Sequence, residues 1–151
     1  MLKILIDSRE KNPLTFNHPK ITTAIICKLD VGDYTAMFED NIMSGVYFER
    51  KAIGDLWGSL TKDYNRIKKE IERARAVGVT LIIIVEGNLS KIFKGYRHSK
   101  IQGVSIIKTL FSVWCRYGIL PVFVKDREEM SEYIIHYFWA LERKRKSKEN
   151  S

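Results

Sequence analysis

The sequence predicts an α/β fold in which helices flank a mixed β-sheet. The β-branched run from Val79 to Val85 lies between Gly78 and Gly87, which is typical of a central strand buried on both faces. A segment of helical period precedes this run, and two more follow it. Earlier in the chain, two short apolar runs flank a turn-rich segment, which is the pattern of an antiparallel hairpin.

Strands dominate the prediction for the first half of the chain. The segment 11–19 contains two of the three prolines and predicts a loop. The turn-rich residues 39–45 connect the two arms of the predicted hairpin. The first run ends at Asp7 and is expected to be an early or edge strand. The predicted strands cover 2–6, 25–29, 34–38 and 46–50.

Helices and strands alternate in the prediction for the second half. Asp63 can cap a helix over 64–74, and Gly78 suits the left-handed position after its end. Ser99 is predicted to cap a second helix, whose apolar stripe is wide enough to require broad burial. The remaining elements are a strand over 119–124 and an aromatic-rich helix over 128–141.

The composition indicates one domain. A chain of 151 residues with 45% hydrophobic residues can build its own core, and we assign 1–142 to that domain. Residues 143–151 are predicted to form a flexible basic tail, either a phosphate-contacting arm or a solvated terminus. No apolar run suits a membrane span or a signal peptide, so we expect an intracellular protein that is not secreted.

Charge and cysteine content narrow the function classes. Twenty-six basic and eighteen acidic residues give a net charge of +8, which suggests a polyanionic partner. Cys27 and Cys115 lie far apart and outside any Cys/His cluster. The sequence therefore indicates neither a disulfide framework nor a zinc site.

Ionisable residues concentrate at the base of the predicted hairpin. Asp33 precedes one arm, and Glu49 and Lys51 end the other. Because side chains alternate along a strand, Glu49 and Lys51 project to one face and Arg50 to the opposite face. Hairpin pairing can bring Asp33 beside Glu49, so that two carboxylates and an ammonium converge.

Two adjacent carboxylates repel each other unless a cation or a proton lies between them. Mg²⁺ or Mn²⁺ accepts such oxygen ligands together with water and phosphate. With Lys51 orienting or deprotonating a water, or neutralising charge on the phosphate, the cluster predicts phosphodiester hydrolysis. The alternative is that Glu49 and Lys51 form an ordinary solvated cross-strand face and that Asp33 is a turn residue.

The order and spacing of these residues resemble the nuclease domain of XPF-family structure-specific endonucleases. That family's pattern is D-x-R-E, then G-D, then E-R-K-x-x-x-D. It reads here as Asp7-Ser-Arg-Glu10, Gly32-Asp33 and Glu49-Arg-Lys51 with Asp55, and the resemblance covers about 2–141. It implies a restriction-endonuclease-like fold, a divalent metal, and cleavage of branched, flapped or forked DNA in repair, recombination or replication.

The resemblance also implies individual roles. Asp33 and Glu49 would be metal ligands, with the carbonyl of Arg50 as a possible third, and Asp7 would reach a metal. Lys51 would be the catalytic lysine. The remaining motif residues with implied catalytic roles are Arg9, which would contact a phosphate, Glu10, Arg50 and Asp55.

Many members of that family carry a tandem helix-hairpin-helix domain or a helicase domain, which this sequence lacks. We therefore expect a stand-alone nuclease domain in which the basic tail or a protein partner supplies the second DNA-binding surface. Two basic segments are candidate DNA contacts. Glu70 and Glu72 interrupt the first, so its charges are alternatively explained by ion pairs within a solvated helix, such as Arg66 with Glu70 at i,i+4. The candidates are Lys62, Arg66, Lys69, Arg73, Lys94, Tyr96, Arg97 and Lys100.

The last helix carries more aromatic side chains than one core stripe accommodates: Tyr133, Tyr137, Phe138 and Trp139. We expect a homodimer through the last two helices, which the resemblance also implies. The alternative is a helix that is buried on a wide face in its own core.

The favoured hypothesis is a metal-dependent DNA endonuclease that uses Mg²⁺ or Mn²⁺. A Holliday-junction resolvase or a restriction-type nuclease is a second reading of the same chemistry. A non-catalytic DNA-binding or scaffold subunit is the alternative from another class, since the acidic cluster would then serve structure alone.

Overall fold

The computed structural model describes residues 1–149 and contains one mixed sheet with helices on both faces. Within that range the strands are β1 (Leu2–Asp7), β2 (Ile21–Cys27), β3 (Tyr34–Met37), β4 (Met43–Ala52), β5 (Thr80–Glu86) and β6 (Leu120–Val124). The helices are α1 (Ile53–Ser59), α2 (Tyr64–Val77), α3 (Leu89–Lys94), α4 (Gly103–Tyr117) and α5 (Arg127–Glu149). The predicted α/β class is confirmed.

The sheet has the order β2-β1-β3-β4-β5-β6. Strand β3 pairs antiparallel with both β1 and β4, whereas β4, β5 and β6 run parallel and β2 runs parallel to β1. The predicted hairpin is therefore the β3–β4 pair. Helices join β4 to β5 and β5 to β6, as the alternation of periods predicts, whereas the loop 8–20 joins the parallel strands β1 and β2.

Two apolar cores lie on opposite faces of the sheet. One core packs α1, α2 and α4 against residues such as Leu81, Ile83 and Val85 of β5. The other packs α5 against Phe48, Ile82 and Ile84. Strand β5 is thus buried on both faces, as its β-branched run predicts.

Several predicted boundaries are wrong. Strand β2 begins at Ile21 and is itself the sheet edge, so β1 is an interior strand. The segment after β5 contains α3, which Asn88 caps by accepting a bond from the backbone N–H of Lys91 at 2.8 Å. Ser99 does not cap α4, because that helix begins at Gly103.

The apolar stripe of α4 is only partly buried. Ile106, Leu110 and Val113 lie in the core, but Phe111 and Trp114 are exposed. The prediction of broad burial is therefore wrong for this helix. One side of α4 turns an apolar surface to solvent.

Helix α5 extends further than predicted. Residues 143–149 of the predicted flexible tail are helical, and Arg145 forms an ion pair with Asp40 on the hairpin turn. Asn150 and Ser151 lie outside the described residues. Within 1–149, no helix has both the length and the apolar composition to cross a membrane.

The junction between α3 and α4 offers a test of the packing. A Cβ atom at Gly103 would overlap the carbonyl oxygen of Ile92, so Gly103→Ala forces the two helices apart. We expect the free energy of unfolding to fall by about 3 kcal/mol, measured by urea denaturation. Ser105→Ala, at an exposed position in the same turn, is the control and should change it by less than about 0.5 kcal/mol. Equal stability of the two variants would contradict this packing.

Candidate active site

Glu49 and Lys51 project from the same face of β4. The Lys51 Nζ lies 3.1 Å from the Glu49 Oε1, and each side chain is only about one-sixth exposed, at 16% and 15%. Both line a groove of about 640 Å³ between the sheet and helices α1 and α2. The period of the strand therefore places the two groups together, as predicted.

Backbone bonds hold Asp33 against this pair. The Asp33 N–H donates to the Phe48 carbonyl at 2.8 Å, and the Arg50 N–H donates to the Asp33 Oδ2 at 2.8 Å. The preceding Gly32 has φ of +65°, and a Cβ there would lie 3.0 Å from the Phe48 carbonyl oxygen. The turn before β3 therefore favours glycine and fixes Asp33 opposite Glu49.

Burial and neighbouring charges shift the pKa values of this cluster. Burial, followed by the charge of Glu49, raises the pKa of Asp33 to about 8. Burial also raises the pKa of Glu49, against the opposing effect of Lys51. Burial lowers the pKa of Lys51, but the Glu49 carboxylate outweighs this effect, so the pKa is raised and the side chain stays an ammonium.

This donor set fits a hard divalent cation. Mg²⁺ and Mn²⁺ take one or two protein carboxylates and fill their other positions with water and phosphate oxygens. The bonds from Arg50 and Lys51 use one oxygen of Asp33 and one of Glu49. Within residues 1–149, no three His, Cys, Asp or Glu side chains are grouped as a complete metal cage.

Asp7 and Arg9 form a separate, adjacent pair. Asp7 is buried; its Oδ2 accepts from the Arg9 Nε at 2.8 Å and its Oδ1 from the Leu29 N–H at 2.9 Å. Arg9 also donates to the Leu29 carbonyl at 2.9 Å. These bonds join the end of β1 to the segment that leads to Asp33. A metal role for Asp7 and a phosphate contact for Arg9 stay predictions.

Glu10 and Arg50 meet on the opposite face of the sheet. The Glu10 Oε2 accepts from the Tyr34 hydroxyl at 2.7 Å and from the Arg50 Nη1 at 3.2 Å. Arg50 also donates to the Asn12 carbonyl at 2.9 Å, and its Nη2 lies 3.8 Å from Glu86. These side chains brace β4 against the loop after β1, whereas Glu49 and Lys51 face the groove.

Asp55 is exposed in the first turn of α1 and lines the groove.

Glu70 on α2 also lines the groove, and the sequence did not predict it as a site residue. The Glu70 Oε1 accepts from the Gly32 N–H at 2.5 Å, and its Oε2 accepts from Arg73 at 2.5 Å. The considered pair of Glu70 with Arg66 is thus replaced by a pair with Arg73. Only the fold brings Glu70 to the turn 38 residues earlier.

The predicted DNA contacts separate into two groups. Arg66, Lys69 and Arg73 line the groove with Glu49 and Lys51, and Lys62 is exposed just before α2. In the second group, Tyr96 is half-buried, and its ring centroid lies 5.9 Å from that of Trp57. The other members of that group are exposed: Lys94, which belongs to α3 rather than to a loop, Arg97 and Lys100.

Comparison with known proteins identifies the family. The model of the ERCC4 domain matches residues 6–137. The chain belongs to the ERCC4 domain family. The resemblance to the XPF family is thereby confirmed. The matched residues 6–137 include all three parts of the motif, from Asp7 to Asp55.

Similar proteins share the fold of this ERCC4 domain. XPF from Aeropyrum pernix superposes with a TM-score of 0.60 and 21% identity, covering 87% of this chain and 61% of that one. The same protein in complex with DNA gives a TM-score of 0.64 and 22% identity, covering 97% and 66%. An uncharacterized protein of Rickettsia prowazekii (strain Madrid E) is 25% identical over 100 residues, which are 64% of this chain and 47% of that relative. The chain thus spans about half of its curated relative and less than two thirds of the XPF chains.

The raised pKa of Asp33 predicts a pH-dependent stability. An unfolded aspartate titrates at about 3.9, so the metal-free native protein holds an extra proton between about pH 4 and pH 8. Its free energy of unfolding should therefore fall as the pH rises through that window. Asp33→Asn should flatten this dependence, measured by thermal denaturation in EDTA.

The predicted divalent-cation site implies an effect in the opposite direction, because such an ion would bind the deprotonated carboxylates. We expect Mg²⁺ or Mn²⁺ to raise the Tm more at about pH 8 than at about pH 5, where a proton competes. An equal increase at both pH values, or an unchanged pH dependence in Asp33→Asn, would contradict the proposed coupling.

Proposed function

We propose that this ERCC4 domain is a divalent-metal-dependent DNA endonuclease. The observation that carries the proposal is the convergence of Asp33, Glu49 and the Lys51 ammonium beside a groove that Glu49 and Lys51 line. Arg66, Lys69 and Arg73 on the facing helix form a basic wall of that groove, whose lining also includes the carboxylates of Asp55, Asp63 and Glu70. A polyanion drawn along this wall would bring a phosphodiester to the paired carboxylates.

Asp33 and Glu49 would hold Mg²⁺ or Mn²⁺. The ion would lower the pKa of a water molecule and stabilise the charge that develops on the phosphate. The Lys51 Nζ lies 3.1 Å from Glu49, so its ammonium would donate to a phosphate oxygen or orient the attacking water. The Arg50 N–H orients one oxygen of Asp33 and leaves the other for the ion.

The proposed substrate is branched, flapped or forked DNA, and the proposed processes are DNA repair, recombination and replication. Support comes from membership of the ERCC4 family and from the likeness to an XPF that has been solved with DNA. The predicted DNA contacts would bind the flanking strands: Lys62, Arg66, Lys69, Arg73, Lys94, Tyr96, Arg97 and Lys100. In this proposal a protein partner supplies a further DNA-binding surface.

We also propose a homodimer, formed through the exposed face of α4. On α5, Phe138 is fully buried, and Tyr137 and Trp139 pack against the same core, so its aromatic side chains are largely used within the protomer. A group of exposed apolar side chains lies on α3, on α4 and between them, which favours a two-fold partner there. They are Leu89, Phe93, Ile101, Val104, Phe111 and Trp114.

Cleavage assays test the enzymatic proposal. With Mg²⁺ or Mn²⁺ the protein should nick forked or flapped DNA, and Asp33→Asn, Glu49→Gln and Lys51→Met should each slow cutting by at least about 100-fold. Each variant removes one charge from the cluster while retaining its approximate shape. Glu72→Gln, at an exposed position on α2, is the matched control and should cut normally.

The substrate panel separates the alternatives. Paired symmetric cuts in four-way junctions would identify a resolvase, and cuts at one fixed sequence a restriction-type nuclease. DNA that is bound with a steep salt dependence and never cut with any divalent ion would overturn the enzymatic proposal and leave a DNA-binding subunit.

Light scattering tests the dimer. The unchanged protein should have the mass of two chains, and Trp114→Glu should have the mass of one, because it buries a charge in the apolar contact. Lys144→Glu, at an exposed position on α5, is the control and should stay dimeric. Dissociation by Lys144→Glu alone would move the interface to α5, and a monomeric unchanged protein would remove it.

A further inference from the structure

A second groove adjoins the candidate active site. It has a volume of about 370 Å³, and its charged lining consists of Arg9, Lys28, Arg73 and Asp30. Arg73 lines both grooves, so the two grooves are adjacent. Three cations and one carboxylate thus line the second groove, and two of the cations, Arg9 and Arg73, are ion-paired with carboxylates outside that lining. Lys28 does not belong to the motif.

Both arginines of this groove are oriented by carboxylates. The Arg9 Nε bonds to Asp7 and its Nη2 to the Leu29 carbonyl, yet the side chain is 63% exposed. The Arg73 Nη2 bonds to Glu70, and that side chain is 56% exposed. A guanidinium has five N–H donors, so each arginine keeps further donors for a second anion. Oriented, accessible guanidinium groups are suited to phosphate oxygens.

The same carboxylates also fix the backbone that leads into the active site. The Asp7 Oδ1 accepts from the Leu29 N–H, and the Glu70 Oε1 accepts from the Gly32 N–H. The segment 29–32 is therefore tied at both ends to the partners of the two arginines. Asp33 follows this segment directly, so the second groove and the carboxylate pair share one support.

We propose that the second groove is a phosphodiester-binding subsite for the DNA strand on one side of the cleaved bond. The proposal rests on the proposed function and extends it to Lys28, for which no role was predicted. Because Arg73 joins the two grooves, a continuous strand can place one phosphate at Glu49 and Lys51 and a neighbouring one between Arg9, Lys28 and Arg73.

Binding measured without catalysis tests this subsite. Fluorescence anisotropy with a labelled forked DNA in EDTA, repeated over a salt series, gives the slope of log Kd against log salt concentration. Each phosphate contact that is lost lowers the magnitude of this slope by about 0.7 for a single strand or 0.9 for a duplex. We expect this decrease, with weaker binding, for Lys28→Gln and for Arg73→Gln, and about twice the decrease for the double variant.

Lys125→Gln is the matched control, because Lys125 is exposed and follows β6 at the other edge of the sheet from β2. It should keep the slope of the unchanged protein. Lys28 is exposed and lies outside the hydrogen bonds that support Asp33, so Lys28→Gln is expected to fold normally, and its effect on binding is not one of misfolding.

The outcomes separate this inference from the proposed function. Arg73 also lines the first groove, so Lys28→Gln decides: if it keeps the slope of the unchanged protein while that protein binds and cuts DNA, the subsite is wrong and the endonuclease proposal stands. If the unchanged protein does not bind DNA, both fail. An equal decrease for Lys125→Gln would also overturn the subsite, because the effect would then be one of total charge.

Discussion

The pairing of β3 with β4 is the constraint on which the candidate site depends. The register sets Tyr34 opposite Phe48, and the bonds of Asp33 to the backbone of Phe48 and Arg50 continue that pairing beyond the strand. A slip of one residue would turn Glu49 and Lys51 to the opposite face of the sheet. Since β4 is also paired with β5 from Val46 to Ala52, the register is held from both sides.

The motif serves two faces of the same strand. Glu49 and Lys51 face the groove, whereas Arg50 between them reaches Glu10 on the other side. Side chains alternate along a strand, so neighbouring residues of the motif serve opposite faces. The groups at the groove need a rigid strand to hold their geometry, and Arg50 stabilises β4 from the other face. Asp7 and Glu70 provide comparable support from β1 and α2, since each holds a backbone N–H of the segment before Asp33.

Local periodicity accounts for what the sequence could predict. The alternation along β4 predicts that Glu49 and Lys51 share a face, and glycine and charge patterns predict the hairpin and the end of α2 at Gly78. Glu70 could not be placed, because its bond to Gly32 joins residues 38 positions apart. The exposure of Trp114 was likewise unpredictable from its apolar stripe, since burial depends on which elements reach that side of α4.

The central claim is that Asp33 and Glu49 share one divalent ion. Crystals grown with Mn²⁺, with data collected at the manganese absorption edge, test it directly. The account predicts an anomalous peak within bonding distance of oxygens from both carboxylates, with the Lys51 ammonium beside it. A peak elsewhere, or an ion bound to neither side chain, would contradict it.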